Sequence, residues 1–245
     1  MEEILLIDGD SLMYYEAFKE QNLEEAKIGI NRRLMHMCNE NGTGKYIGFL
    51  TGKNCFRYGV ADAMPYKHKR PEEKPELLFQ LKDYMKDHLH FDVVDGLEAD
   101  DLVMYWHLKL KESTTICSPD KDVLKQIAGR HYNYRWTKDS RGTFVETTEE
   151  EARHFIWLQT IMGDSTDGIP GLPGVGEVKA TKILGRDPLD YPRKALEAYM
   201  NHFGEVLGAI RFAETLRLVY MLRTPEDVMR ETRLELDVPM VKSVK

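Results

Sequence analysis

Short apolar runs, separated by helical patterns, recur along the first half of the chain and constrain its fold more than any other feature. The first run is Ile4 to Ile7, which ends at Asp8. A run of this length is typical of a strand that is buried on both faces of a parallel sheet. Similar runs follow at 46–50, 91–94 and 114–117. Strands that alternate with helices predict an α/β fold with a central, mostly parallel sheet.

The texture of the sequence changes near residue 164. Residues 168–176 hold four glycines and two prolines, and helical patterns dominate from there to about residue 223. We therefore predict an α/β domain over residues 1–163 and a helical region over residues 164–245.

The cysteine content and the chain start indicate a compartment. The three cysteines are an odd number at long spacings, so neither a disulfide framework nor a zinc site is expected. The first residues are acidic where a signal peptide is basic, and no apolar run approaches the roughly 18 residues that span a bilayer. We expect a soluble protein of a reducing cytoplasm without a membrane partner.

Acidic residues follow the predicted strands or lie at the junction into the glycine-rich segment. In an open parallel sheet the carboxyl ends of the strands share one edge, where ligands bind. Carboxylate oxygens select Mg²⁺, Mn²⁺ or Ca²⁺, and two such ions about 4 Å apart can cleave a phosphodiester. Any single acid of this kind is more often a helix cap, because the helix dipole favours negative charge at the N-terminus. The acids are Asp8, Glu98, Asp100, Asp101, Asp120, Asp122, Asp164 and Asp167.

The net charge of −7 argues against a nucleic-acid partner when it is taken alone. The eight acids account for −8, which leaves +1 for the rest of the chain. Bound divalent ions would neutralise part of the acidic cluster. The net charge therefore does not decide between a nuclease and another kind of protein.

The glycine-rich segment resembles a phosphate clamp. Gly174, Val175 and Gly176 lead into a helical pattern that carries Lys179 and Lys182 three residues apart. A tight turn before a helix N-terminus presents backbone N–H groups to an anion, so this segment can hold a phosphate backbone without reading bases. A plain connection between a loop and a helix would explain the glycines, but not why so many of them occur beside Asp164 and Asp167.

Several motifs together resemble one family. They run in family order over about residues 4–185, and the combination is far more specific than any one motif. The chain resembles the 5′-nuclease (flap endonuclease) superfamily, especially the short phage-encoded 5′–3′ exonucleases and the 5′-nuclease domain of bacterial DNA polymerase I. The matching segments are Ile7-Asp8-Gly9, Phe56-Arg57, Tyr66-Lys67 with Arg70, Glu98 to Asp101, Ser118 to Asp122, Gly163-Asp164, Asp167 to Gly171 and Leu172 to Gly176.

The resemblance implies a PIN-like catalytic domain over residues 1–163, with a helix–three-turn–helix and further helices over residues 164–245. It implies a monomeric enzyme that hydrolyses phosphodiester bonds at duplex DNA ends, 5′ flaps or RNA–DNA hybrids with two Mg²⁺ or Mn²⁺ ions. One ion would use Asp8, Glu98, Asp100 and Asp101, and the other would use Asp120, Asp122, Asp164 and Asp167. If the chain is phage-encoded, the bacterial host cytoplasm is its compartment.

The resemblance also implies roles outside the acidic cluster. Lys67 and Arg70 would contact the scissile phosphate from the base of a clamp loop over 65–75, although without the family they would be read as solvated loop charges. Tyr66 would stack on a terminal base. The turn near Val175 would bind K⁺ through backbone carbonyls, with Ser165 as a side-chain contributor.

One position departs from the family pattern. An aspartate usually follows the second strand, and Thr51 stands there in this chain. The first ion would then have one ligand fewer and weaker binding, for which Asp10 is a compensating acid. We expect Thr51→Asp to lower the Mg²⁺ concentration that gives half-maximal activity.

Two other functions remain open at this stage. A PIN-type ribonuclease that acts on single-stranded RNA would use the same kind of acidic site. A non-catalytic protein that binds DNA ends would keep the fold without the chemistry. The full acidic set at positions 120, 122, 164 and 167 favours an enzyme, and the glycine-rich clamp favours a duplex substrate.

Overall fold

The computed structural model describes residues 3–20, 22–71, 73–110 and 114–244. Parts of the acidic chain start and position 72 of the clamp loop lie outside the described residues. The strands are β1 Ile4–Asp8, β2 Lys45–Thr51, β3 Asp92–Val94, β4 Thr114–Cys117, β5 Gly129–Asn133, β6 Thr143–Thr147, β7 Gly163–Asp164, β8 Ile169–Pro170 and β9 Lys242–Ser243.

Helices connect most of these strands and dominate the last third of the chain. A short 3₁₀ helix, Pro188–Asp190, lies among them. The α-helices are α1 Gly9–Lys19, α2 Leu23–Asn41, α3 Arg57–Val60, α4 Leu78–Asp87, α5 Ala99–Leu110, α6 Lys121–Lys125, α7 Glu149–Met162, α8 Glu177–Leu184, α9 Tyr191–Phe203, α10 Glu205–Val219 and α11 Pro225–Thr232.

The main sheet has the strand order β3-β2-β1-β4-β5-β6. Strands β3, β2, β1, β4 and β5 run parallel to one another, and β6 pairs antiparallel with β5 as a hairpin. The register sets Asp8 beside Phe49, and Ile7 beside Cys117. The carboxyl ends of β1, β2 and β4 therefore lie at one edge, and the predicted α/β fold with a mostly parallel sheet is confirmed.

Apolar residues fill both faces of this sheet. Leu5 and Ile7 pack into a cluster with α1, α2 and α4, whereas Leu6 packs into a second cluster with α5. This alternation follows from the strand geometry, because successive side chains point to opposite faces. The side chains of Leu5, Leu6 and Ile7 are fully buried, so the strand is a rigid base for Asp8 at its end.

The helical region builds a third apolar cluster on α7. Leu158 and Ile161 of α7 pack there with Leu184 and Tyr199. A capping box of Thr148 and Glu151 begins α7. After α10 the chain returns to the sheet, where Met221 and Leu222 join the second cluster and β9 pairs with the start of β2. The boundary at residue 164 stays a prediction. Within the described residues, every helix is too short or too polar to cross a bilayer.

Candidate active site

A pocket of about 170 Å³ opens at the carboxyl edge of the sheet. The start of α5, the start of α6 and the turn between β7 and β8 all contribute to its lining. Three segments that are far apart in sequence therefore meet, as the strand-end argument predicts. Six of the eight predicted acids line this pocket: Glu98, Asp100, Asp120, Asp122, Asp164 and Asp167.

Asp8 is buried and is not among the residues that line the pocket. One of its carboxylate oxygens accepts a hydrogen bond from the backbone N–H of Asp10 at 3.2 Å, and the other accepts one from the Ser118 hydroxyl at 2.8 Å. Burial, with the charge of Asp10 next, raises the pKa of Asp8 to about 7. The charge of Asp8 also raises the pKa of Asp100, so Asp8 belongs electrostatically to the pocket.

The structure does not bring Asp101 to the pocket, although its neighbour Asp100 lines it. Arg57 holds the Asp101 carboxylate with two hydrogen bonds, at 2.6 Å and 2.8 Å. The backbone N–H groups of Leu222 and Glu98 donate to the same carboxylate at 2.9 Å and 3.3 Å. Both oxygens are thus occupied by partners inside the fold, and Asp101 acts here as the buried counter-ion of Arg57.

Three cations neutralise part of the acidic cluster. Arg57 is buried and donates to Glu98 at 3.1 Å as well as to Asp101. Lys67 forms an ion pair with Glu98 and lies 3.8 Å from Asp167. Arg70 is exposed and contacts Asp167 at 2.6 Å. Lys67 and Arg70 thus contact carboxylates of the acidic cluster in this structure, and their contact with a scissile phosphate stays a prediction.

These pairs change the protonation of Glu98. Burial alone would raise the pKa of Glu98, but Arg57 and Lys67 outweigh it and lower the pKa to about 2. Glu98 is therefore ionised at neutral pH. The sequence marks Arg57 only as part of a motif and does not predict this role. The signal for it is the Phe56-Arg57 pair, but the burial of an arginine is decided by contacts with residues 98, 101 and 218.

Tyr66 contributes its hydroxyl to the pocket rather than an open ring face. Its side chain is 6% exposed, and the hydroxyl lies 2.8 Å from a Glu98 oxygen and 3.2 Å from an Asp167 oxygen. Tyr58 packs edge-on against the ring at a centroid distance of 5.4 Å and is itself 60% exposed. The expectation that Tyr66 stacks on a terminal base is not met by this burial.

A second group of acids has no such neutralisation. The ion pairs among the described residues do not include Asp8, Asp100, Asp120 or Asp122, which we call the crowded acids. Burial, followed by the charges of Asp8 and Asp120, raises the pKa of Asp100 well above its usual value. Burial, with the charge of Asp120 next, raises the pKa of Asp122 to about 7. The Oδ1 atom of Asp122 is buried without a hydrogen-bond partner.

Asp120 lies at the mouth of the pocket. Its side chain is exposed toward solvent, yet the surrounding protein and the charges of Asp167 and Asp164 raise its pKa. Its carboxylate accepts a hydrogen bond from the backbone N–H of Asp122 at 2.8 Å, which caps α6. Helix capping and a place in the pocket are therefore combined in one residue.

The crowded acids fit hard divalent cations in donor chemistry and in charge. They are oxygen donors that repel one another, and an orphaned carboxylate oxygen lies among them. Within the described residues, no three His, Cys, Asp or Glu side chains are already arranged around a common ion position. The fit is thus one of chemistry, and Lys67 and Arg70 compete with a cation only at the oxygens of Glu98 and Asp167.

The glycine-rich turn lies beside the pocket and leads into α8. Gly174 adopts a φ of +68°, a backbone conformation that favours glycine, and Gly176 begins the helix. Lys179 donates to the carbonyl of Gly174 at 2.8 Å, so it closes the turn as well as carrying charge. Lys182 is exposed on the same helix, while Val175 is partly buried against the third cluster. Near this turn, Lys69 donates to the carbonyl of Ser165 at 3.2 Å.

Curated relatives of the chain are bacterial nucleases and polymerases. No family model matches the sequence. A 5′–3′ exonuclease of Mycoplasma pneumoniae is 30% identical over 212 residues, which cover 75% of this chain and 72% of that protein. A 5′–3′ exonuclease of Buchnera aphidicola is 28% identical over 200 residues and is covered to 69%. DNA polymerase I of Bacillus subtilis is 29% identical over 220 residues, but the chain spans only 24% of its length.

Solved structures with the same fold are also nucleases. The 5′-exonuclease of bacteriophage T5 with bound zinc ions superposes with a TM-score of 0.63 at 18% identity, covering 89% of each chain. Flap endonuclease-1 from Methanococcus jannaschii gives a TM-score of 0.57 at 15% identity, covering 91% of this chain and 79% of the other. The catalytic core of Rad2 in complex with DNA substrate gives 0.52 at 12% identity, covering 95% and 88%. At these identities the likeness establishes the fold.

Proposed function

The chain belongs to the 5′–3′ exonuclease family, and on that premise we propose that it is a divalent-metal-dependent nuclease that cleaves DNA at or near a 5′ end. Its reaction is hydrolysis of a phosphodiester bond at a duplex end, a 5′ flap or an RNA–DNA hybrid. Two Mg²⁺ or Mn²⁺ ions serve the reaction. A single observation carries this proposal: carboxylates from distant segments line one pocket, and three of them, Asp100, Asp120 and Asp122, have no ion pair among the described residues and have raised pKa values.

The pocket suggests how the acids divide between the two ions. Asp8, Asp100 and Glu98 lie at the ends of β1 and at the start of α5, and they serve one ion. The other four come from the start of α6 and from the turn between β7 and β8, and they serve the second ion, in part through water. We leave Asp101 out of the ligand set because Arg57 and two backbone N–H groups occupy its oxygens. The four acids of the second ion are Asp120, Asp122, Asp164 and Asp167.

The chain's own residues bind and orient the substrate. When bound, divalent ions act as Lewis acids that lower the pKa of water and stabilise charge on a phosphate. Lys67 and Arg70 hold the scissile phosphate, for which an ammonium and a planar guanidinium are suited. The Tyr66 hydroxyl keeps Glu98 in place through its 2.8 Å contact. Asp120 lies at the mouth of the pocket, on the side where the scissile phosphate binds.

The glycine-rich turn supplies the grip on the duplex. Gly174, Val175 and Gly176 expose backbone at the N-terminus of α8, and Lys179 and Lys182 add positive charge on the exposed face. Contacts of this kind hold a regular phosphate backbone without base readout. K⁺ bound by the carbonyls of this turn remains part of the proposal, although the Gly174 carbonyl already accepts from Lys179.

Cleavage of end-labelled substrates tests the proposal. The protein is incubated with a 5′-flap duplex, a blunt duplex, an RNA–DNA hybrid and single-stranded RNA, each with Mg²⁺ and with a chelator. We expect cleavage of the structures that carry a duplex, only with Mg²⁺, and products that begin from the 5′ end. Cleavage restricted to single-stranded RNA would indicate a PIN-type ribonuclease instead. Binding that survives the chelator, with no cleavage in Mg²⁺, would indicate a non-catalytic DNA-end binder.

A further inference from the structure

Asp10 is not one of the eight predicted acids, yet it lies close to the acidic pocket. It follows Asp8 by two residues and forms the first turn of α1. Because β1 and β2 run parallel with Asp8 beside Phe49, position 10 lies next to position 51 at the end of β2. The backbone N–H of Thr51 donates to the Asp10 carboxylate at 3.1 Å.

Gly9 makes this close approach possible. A Cβ atom at residue 9 would lie 2.6 Å from the carbonyl oxygen of Phe49 and 2.7 Å from the ring of Phe91. Real Cβ atoms do not approach backbone so closely, so any larger residue would push the first turn of α1 away from β2. The glycine therefore fixes the Asp10 carboxylate at the strand end.

The end of β2 offers no carboxylate of its own. The Thr51 hydroxyl accepts a hydrogen bond from the backbone N–H of Ala99 at 3.0 Å, which anchors the start of α5. The Thr51 carbonyl accepts one from the Lys82 ammonium. Thr51 thus holds together the helix that carries Asp100 and the turn that carries Asp10.

The charge of Asp10 acts on the first ion's acids. It is the second cause, after burial, of the raised pKa of Asp8, and the charge of Glu98 acts in turn on Asp10. The Thr51 backbone N–H and the Thr51 hydroxyl both contact the Asp10 carboxylate, and the charge of Lys82 acts on it as well. A carboxylate offers about four lone-pair sites, so Asp10 keeps acceptor capacity for a cation that Asp8 and Glu98 share.

We propose that Asp10 is a further metal-binding carboxylate of the first ion position, delivered to the end of β2 by Gly9 and held there by Thr51. The inference rests on the proposed function, since it deepens the same site. It assigns to the first turn of α1 a carboxylate that β2 does not supply.

Titration with Mn²⁺ tests the proposal independently of activity. Isothermal calorimetry, with electron paramagnetic resonance of free Mn²⁺ as a second readout, gives the affinity of the full chain without DNA. Asp10→Asn keeps an oxygen that accepts from Thr51, so the fold is retained while the charge is lost. We expect the tighter Mn²⁺ site to weaken by about 10–100-fold, the scale seen when groups that support metal ligands are removed.

Asp95→Asn is the matched control. Asp95 is exposed and accepts from the backbone N–H of Lys53 at 2.7 Å, so it makes the same kind of bond outside the pocket. We expect its Mn²⁺ affinity to equal that of the unchanged protein. Wild-type affinity in Asp10→Asn would overturn the assignment of Asp10. Absence of Mn²⁺ binding to the unchanged protein would instead overturn the proposed function, and this inference with it.

A transfer of the carboxylate sharpens the test. In the Asp10→Asn background, Thr51→Asp places a carboxylate on β2 itself, and one of its oxygens can still accept from Ala99. We expect this double variant to recover most of the lost Mn²⁺ affinity. A double variant as weak as Asp10→Asn would contradict the claim that a carboxylate at this strand end is what the ion requires.

Discussion

The two groups of carboxylates in and beside the pocket solve the problem of buried charge in opposite ways. The first group, which we call the paired acids, is Glu98, Asp101 and Asp167, and each contacts Arg57, Lys67 or Arg70. The crowded acids have no such ion pair among the described residues, and their charges raise one another's pKa values. The pKa of Glu98 is lowered to about 2 despite burial, whereas that of Asp122 is raised to about 7 mainly by burial.

The contrast shows which acids the fold itself stabilises. A buried carboxylate costs free energy unless a cation or hydrogen bonds compensate it. The paired acids are compensated inside the chain by these cations. The crowded acids accept hydrogen bonds but have no ion pair among the described residues, so most of their charge is left for protons or bound cations to compensate. Divalent cations are the partners that fit, and the four variants below are ways to break this comparison.

The largest effect is expected where a paired acid loses its cation. Arg57→Met leaves Asp101 and Glu98 buried with uncompensated charge, and breaking a buried pair in this way costs about 3–5 kcal/mol. Urea unfolding in a chelator measures the free energy of unfolding. Arg135→Met, at an exposed arginine outside these pairs, is the control and should change it little. A loss below about 1 kcal/mol in Arg57→Met would show that the paired acids do not depend on Arg57.

A crowded acid should behave in the opposite way. Asp120→Asn removes a charge from the crowded acids, so we expect turnover with Mg²⁺ to fall by about 10²–10³-fold, as when a group that stabilises the transition state is lost. DNA binding should persist, and the metal-free protein should become slightly more stable. Asp83→Asn, at an exposed position of α4, is the control. Near-normal turnover in Asp120→Asn would remove Asp120 from the site.

Lys67 pairs with Glu98 and is also proposed to hold the scissile phosphate, so its replacement should change metal affinity and turnover in opposite directions. Lys67→Met frees Glu98 for a cation, and we expect Mn²⁺ affinity without DNA to rise several-fold. Turnover should fall by about tenfold or more, because a cation at the scissile phosphate is lost. Calorimetry and end-labelled cleavage measure the two quantities, with Lys69→Met as the neighbouring control. A parallel fall of both quantities would mean that Lys67 does not compete with metal.

The fourth comparison is a pH dependence of stability in the metal-free protein. Asp8 and Asp122 have pKa values raised from 3.8 to about 7, so their protonated forms stabilise the fold and stability falls as pH rises from about 4 to about 7. Glu98, with its pKa lowered from 4.5 to about 2, gives the reverse slope, and its contribution is lost as pH falls through that range.

Unfolding curves from pH 2 to pH 8 in a chelator measure both slopes. We expect a maximum of stability near pH 4 to 5, a flatter descent in Asp122→Asn, and no descent in the presence of excess Mg²⁺. A metal-free protein that gains stability steadily up to pH 7 would contradict the description of the crowded acids.

The sequence predicted the sheet and the convergence of acids because both follow from local patterns. Apolar runs mark the strands, and the acids stand where those runs end. The different fates of Asp100 and Asp101 were not predictable, because adjacent helical residues point about 100° apart and only packing decides which one faces the pocket. The burial of Tyr66 and of Arg57 depends on contacts across 32 to 161 residues of sequence, which no local pattern encodes.

The last strand shows the same limit. β9 has only two residues, and it forms because the chain after α10 returns to the open side of β2. No apolar run marks it. Likewise, Asp10 was visible as an extra acid, but its place beside Thr51 depends on the strand register and on the lack of a side chain at Gly9.

The central claim is that the crowded acids are compensated by divalent cations. Crystals of the protein soaked in Mn²⁺ and measured at the manganese absorption edge test it most directly. The account predicts two anomalous peaks in the pocket, one beside Asp8 and Asp100 and the other beside Asp120 and Asp122. Anomalous peaks only outside this pocket, or none at saturating Mn²⁺, would contradict it.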